Sequence, residues 1–350
     1  MRSRGSGRWA TSKCEIAIVL DKPATTYGMG ELVSGRVEVR ADADVACKKL
    51  TLTLELRTHG RGNTATKTID ETVLFEGQWH AGQQEIYEFE IGAPPGPITY
   101  HGTLINVDWY LRARADIPWA IDAKAEQDFE VVPGAEPMED YGSGCLPAAS
   151  APLAATSLAI AAQRRIGGVV LAAAMVLMFA VGMVRGAAGR ATPTLCFASL
   201  VLVTVGGVIA VAARNKIASR KLGVVEGAVG GPVVPRGTAL PVSLSFQPPG
   251  PIAIERITAT LLAREAATSG SGTRRTTHHH TVHDETIELA PGRRVVAGET
   301  VAVDGSIPIP KDAACAFSLP SNTLTWELTL RIHVQGWPDW VKVYPIVVVP

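Results

Sequence analysis

The chain has 350 residues, 47% of them hydrophobic, and its 33 basic and 33 acidic side chains cancel to a formal net charge of zero. That length suggests two or three domains rather than one core. The charge balance excludes a net field that would gather nucleic acid or a strongly charged substrate, so binding to DNA or RNA is not expected.

Residues 1–13 are a basic tail with Arg2, Arg4 and Arg8, and no apolar stretch follows that would serve as a signal-peptide core. From 14 to 132 the chain predicts strands. Leu50-Thr-Leu-Thr-Leu-Glu-Leu56 alternates apolar and polar residues, and so does Ile105–Leu111 with Tyr110 placed outward. Period-two patterning means one buried and one wet face, as in antiparallel sandwiches. Turn clusters such as Gly60-Arg-Gly-Asn63 and Ala93-Pro-Pro-Gly-Pro97 punctuate these strands.

Residues 133–163 shift to Pro, Gly, Ala and Ser and read as a linker, with a short Ala-rich helix over Leu153–Gln163. Residues 164–216 predict a transmembrane helical hairpin. Its two runs, 166–184 and 194–213, contain no charged residue, and each makes a helix of roughly 28–30 Å, the thickness of a bilayer core. Six basic residues flank the hairpin (Arg164, Arg165, Arg214, Lys216, Arg220, Lys221) against two in its loop, Arg185 and Arg190. The positive-inside rule then puts both termini in the cytoplasm. The five scattered cysteines form no CxxC pair, which agrees with a reducing compartment. The spans carry no Asp, Glu, Lys, Arg or His, so they predict an anchor rather than a carrier. Gly167-Gly168 and Gly206-Gly207 offer close helix packing and a route to a homo-oligomer.

Residues 222–350 return to the β pattern. Leu324-Thr-Trp-Glu-Leu-Thr-Leu-Arg-Ile-His-Val334 alternates over its whole length and is the strongest strand in the sequence. The two β halves match in order. Asp70-Glu-Thr72 precedes Trp109 as Asp284-Glu-Thr286 precedes Trp326, and Lys49–Arg57 parallels Arg256–Arg264. After each Trp-bearing strand comes a Trp/Pro/Asp cluster, Asp116-Ile-Pro-Trp119 and Trp337-Pro-Asp-Trp340. This order argues for a duplicated sandwich with the hairpin between the copies. Trp119, Trp337 and Trp340 are expected to pack as strand-end residues.

Several segments resemble arrestin-like proteins. Tyr27-Gly-Met-Gly-Glu-Leu-Val-Ser-Gly-Arg-Val37 resembles the element that opens arrestin-type domains, with Gly30 and Gly35 shaping turns and Val33 and Val37 entering the core. Phe89-Glu-Ile91, the Pro-rich 93–97 segment and Tyr100-His-Gly102 resemble a further family element. Trp109-Tyr-Leu-Arg-Ala-Arg-Ala-Asp-Ile117 is similar to the strand of bacterial members such as the sporulation-control proteins. The resemblance implies tandem immunoglobulin-like sandwiches and a binding role. A hairpin between the domains departs from the soluble arrestins, and the buried charged cluster that holds visual arrestins inactive has no equivalent in the sequence.

No nucleophile elbow, zincin motif, Walker loop or dinucleotide fingerprint occurs. Catalytic and cofactor-binding residues are therefore not expected, and neither is enzymatic activity. The one cluster with ligand chemistry is Thr277-His-His-His-Thr-Val-His-Asp284. On a regular strand His278 and His280 share one face, with His279 and His283 on the other. Zinc needs three or four converging ligands, so His278, His280 and His283 are weak metal candidates and an exposed polar run is the default. The sequence thus predicts a non-catalytic, membrane-anchored arrestin-like adaptor that recruits a protein or peptide to the cytoplasmic face of a bilayer. The alternative is a structural envelope protein that oligomerises through the hairpin.

Overall fold

The computed structural model describes residues 13–134 and 218–350, and both stretches are almost entirely β. The first holds β1 (Cys14–Leu20), β2 (Thr26–Gly28), β3 (Leu32–Ala41), β4 (Val45–Gly60), β5 (Ala65–Trp79), β6 (Gln84–Gly92), β7 (Tyr100–His101), β8 (Ile105–Asp116) and β9 (Ala123–Val132). The second holds β10 (Val225–Val229), β11 (Val233–Pro235), β12 (Ala239–Phe246), β13 (Ile252–Ser269), β14 (Thr276–Val295), β15 (Val301–Pro308), β16 (Phe317–Leu319), β17 (Asn322–Val334) and β18 (Trp340–Val349).

Alternation decides which face is buried. Leu50, Leu52, Leu54 and Leu56 of β4 are buried, as are Ile105, Val107, Trp109, Leu111, Ala113 and Ala115 of β8. In β17 every second residue from Leu324 to Val334 is buried. In the first sandwich the β4 and β8 rows share one sheet and pack against buried residues of the other, such as Val33, Val37 and Val39 of β3, to form the core.

The two stretches share one topology. The first has sheets β1-β3-β6 and β2-β9-β8-β4-β5, with β7 on β8; the second has β10-β12-β15 and β11-β18-β17-β13-β14, with β16 on β17. Even the parallel pairs correspond, β2 with β9 and β11 with β18. Trp109 and Trp326 occupy equivalent core positions. Each indole Nε1 donates to a backbone carbonyl twelve residues earlier, Pro97 O at 2.9 Å and Ala314 O at 2.8 Å. The duplication read from the sequence is therefore present in strand order, in pairing and in a side-chain hydrogen bond.

Four expectations change. The expected localisation, an integral two-span membrane protein with cytoplasmic termini, is corrected: among the described residues no helix is long and apolar enough to cross a membrane. Helical structure there is limited to a turn over 218–222 and the 3-10 turn Gly272–Arg274. The runs 166–184 and 194–213 lie outside the described residues, as do the linker from 135 onward and the glycine pairs. Apolar length and basic flanks carried that expectation, and no helix among the described residues supplies the span it needs. Second, Gly35 lies within β3 rather than in a turn, where a Cβ would crowd the Val19 carbonyl. Third, packing holds for Trp340, which is buried, whereas Trp337 is half-exposed and Trp119 is fully exposed at φ 59°. The fourth concerns the histidines.

Candidate functional site

A β-bulge rearranges the His run. In the β13–β14 pairing Ala263 faces His283 and Arg264 faces Thr281, so Val282 is an extra residue on β14. One inserted residue reverses side-chain alternation beyond it. His283 therefore joins His278 and His280 on the inner face, where all three are partly buried, while His279 is exposed. The His283 ring packs against Trp326 with centroids 5.5 Å apart. Even so, among the described residues no three His, Cys, Asp or Glu side chains are placed to hold a metal ion.

His280 and His283 form one wall of a cleft of about 560 Å³ between the two sandwiches. His101 and Thr103 of the first sandwich form another, and Asp312 and Trp326 of the second complete it. His101 is fixed by Asp108, whose Oδ1 lies 2.7 Å from His101 Nε2 while its Oδ2 lies 2.6 Å from His59 Nε2. Sequence reading missed this trio because its members stand 7 and 49 residues apart.

Below the cleft the sandwiches meet along a polar seam. Glu265 of β13 is fully buried; the Tyr100 hydroxyl donates to its Oε1 at 3.0 Å and the Leu104 N–H to its Oε2 at 3.0 Å. Burial and the neighbouring Glu265 carboxylate push the Tyr100 hydroxyl well above its ordinary range, which keeps it a neutral donor. Asn322, also fully buried, donates from Nδ2 to Thr58 Oγ1 at 3.0 Å and to Asn63 O at 2.9 Å. Asn63 and Gly270 exchange a reciprocal pair, side-chain amide to carbonyl and N–H to Oδ1, both at 3.0 Å. Tyr100 and Phe317 meet across the seam as a tilted ring pair, 5.5 Å between centroids and 58° between planes. Gly102 and Gly62 admit this approach, because a Cβ at either would overlap Glu265 or Asn322.

Two long sheet edges flank this arrangement. β5 and β14, equivalent strands of 15 and 20 residues, each end a sheet and have a strand partner on one side only among the described residues. Their free edges leave rows of backbone N–H and C=O groups open to a further strand. β5 is exposed along most of its length, and its Ile69 and Val73 are exposed apolar residues. It also carries Lys67, Asp70, Glu71 and Glu76, charges that oppose indiscriminate edge pairing.

No family model matches the chain, and no curated protein matches it. Among solved structures it is similar to the sporulation control protein Spo0M of Bacillus subtilis, at 12% identity and a TM-score of 0.29. That match covers 36% of this chain and 49% of that one, so this chain spans about half the length of the solved relative.

Proposed function

We propose that the chain is a non-catalytic, arrestin-like adaptor whose paired sandwiches bind protein partners by adding extended partner segments to their free sheet edges. The observation that carries this reading is the pair of long, one-sided strands β5 and β14 at equivalent places in the two sandwiches. Main-chain hydrogen bonding along such an edge supplies affinity, and alternate side chains supply selectivity. The seam supports the reading by locking the two sandwiches in one arrangement, so that both edges are presented together. The likeness of Tyr27–Val37 and Trp109–Ile117 to arrestin-type elements supports it as well.

Amide hydrogen exchange tests it. Ligands selected from a displayed library of random peptides against the full chain are expected to slow exchange along β5 or β14. Ligands that leave both strands unprotected, for instance by protecting only residues of the cleft, would overturn strand addition as the mode of binding.

A further inference from the structure

The two free edges differ in charge, and the difference names a partner for one of them. From Thr273 to His283 the chain contains no acidic residue, while Arg274, Arg275, His278, His279, His280 and His283 all fall there. Arg274 and Arg275 are exposed and form no ion pair among the described residues. Acidic residues begin at Asp284 and Glu285. β5 is the reverse: three carboxylates, Asp70, Glu71 and Glu76, stand against Lys67 alone, and the Lys49 Nζ already lies 3.4 Å from Glu71.

We propose that the outer edge of β14 from Thr276 to His283 binds an acidic, extended segment of a partner protein by strand addition. The proposal rests on the scaffold reading above and adds the place and the chemistry. An added strand directs every second side chain to the inner face of the sheet. There it meets His280, with the Thr103 hydroxyl beyond, groups that donate to carboxylates, while the His283 Nε2 is buried and lies 3.4 Å from Glu285. Asp312 lines the same cleft and restricts acidic side chains to its His280 side. Arg274 and Arg275 at the strand's entrance face the end of the peptide, where a fixed positive charge raises the rate of encounter and sets register. The Val282 bulge blocks continuous pairing and ends the site near His283.

The test uses the full chain and three end-blocked octapeptides, alternating Glu-Val, Thr-Val and Lys-Val, measured by fluorescence anisotropy. Glu-Val is expected to bind at least about tenfold more tightly than Thr-Val, and to weaken as salt screens the exposed arginines. Exchange protection should fall on residues 276–283. An Arg274→Glu/Arg275→Glu variant, and a milder Arg274→Gln/Arg275→Gln variant, should each lose most of the Glu-Val preference while peptide-free exchange in β13 and β14 stays unchanged. Equal binding of all three peptides, or protection of β5 instead of β14, would overturn this proposal and leave strand addition standing. Absence of protection on both edges with every peptide would overturn the proposal and the scaffold reading together.

Discussion

Asn322→Asp changes one atom at the centre of the seam, and its cost follows from that atom's surroundings. The Asn322 Nδ2 lies 3.0 Å from Thr58 Oγ1, 2.9 Å from Asn63 O and 3.3 Å from Pro320 O, all acceptors when the amide donates. An aspartate oxygen in its place faces three oxygens, with no exposed surface through which water can intervene. The Thr58 hydroxyl can turn to donate; the two carbonyls cannot. An uncompensated buried charge costs about 3–5 kcal/mol, and the single recovered hydrogen bond places this case near about 3. At ~2.1 cal/mol/K per residue, a chain of 350 residues loses about 1.4 °C per kcal/mol, so the melting temperature should fall by about 4 °C at pH 8. Burial raises the introduced carboxyl above its unfolded value near about 3.9. The penalty is therefore full above the raised folded value and fades as pH falls toward the unfolded one, where the neutral acid donates a hydrogen bond. Circular-dichroism melts of wild type and variant at pH 8, 6 and 4.5 should show the gap closing. A gap under about 2 °C at pH 8, or one that widens on acidification, would refute a buried seam at Asn322.

Three further outcomes follow from single contacts. Trp109→Phe and Trp326→Phe each remove an indole donor from a carbonyl at an equivalent place, buried at Pro97 and partly buried at Ala314, so chemical denaturation should show losses of about 1–3 kcal/mol, no larger for Trp326; a tenfold larger loss in equilibrium constant for Trp326 would contradict their equivalence. Gly102→Ala drives a methyl group into Glu265 and Tyr100, and should cost about 1–3 kcal/mol in the same assay, whereas Gly82→Ala, with open space around it, costs only the strain of its positive φ. Burial pushes the Cys47 and Cys315 thiols up to about 11, so in a Cys145→Ser/Cys196→Ser background both should resist a thiol reagent at pH 8 until denaturant is added.

What the residues disclosed beforehand was whatever depends on local period. Rows such as Leu50–Leu56 and Leu324–Val334 bury one face regardless of tertiary context, so strands and sandwiches were legible, and the ordered matches around Trp109 and Trp326 disclosed the duplication. The site depends on pairs far apart in sequence. Glu265 and Leu104 are separated by 161 residues, and Asn322 and Thr58 by 264, distances over which period carries no information. One signal was present: Ala263, Glu265 and Ala267 share the inward face of β13, and an acidic residue on an apolar face requires a polar partner. The bulge at Val282 had no such signal, because Thr-Val-His alternates acceptably in either register. Apolar length at 166–184 and 194–213 supported a membrane reading that no described helix supports.

The seam also explains why the duplicated halves pair with each other. Aligned through Trp109 and Trp326, Thr58 corresponds to Glu265, Ile105 to Asn322, and Tyr100 to Phe317. The contact Thr58–Asn322 and the contact of Glu265 with Leu104, the neighbour of Ile105, thus stand at related places of a quasi-twofold junction, with the tilted Tyr100–Phe317 pair between them. Their chemistry differs: two copies of the first sandwich would set Thr58 against Ile105 in place of the Asn322 amide, and two copies of the second would deprive Glu265 of the tyrosine hydroxyl. Specificity of this kind comes from polar groups that only the correct partner satisfies. The Tyr100–Glu265 bond should therefore couple energetically. Tyr100→Phe alone removes a donor from a buried carboxylate and should cost about 1.5–3 kcal/mol. Glu265→Gln alone keeps an acceptor for Leu104 and presents its amide to the Tyr100 oxygen, a smaller loss. In the double variant the glutamine amide has no hydroxyl to meet, so the two changes should depart from additivity by about 0.5–3 kcal/mol in a double-mutant cycle. Additivity within about 0.3 kcal/mol would mean that the hydroxyl and the carboxylate do not meet, and the junction would then owe its selectivity to packing at Tyr100 and Phe317 alone.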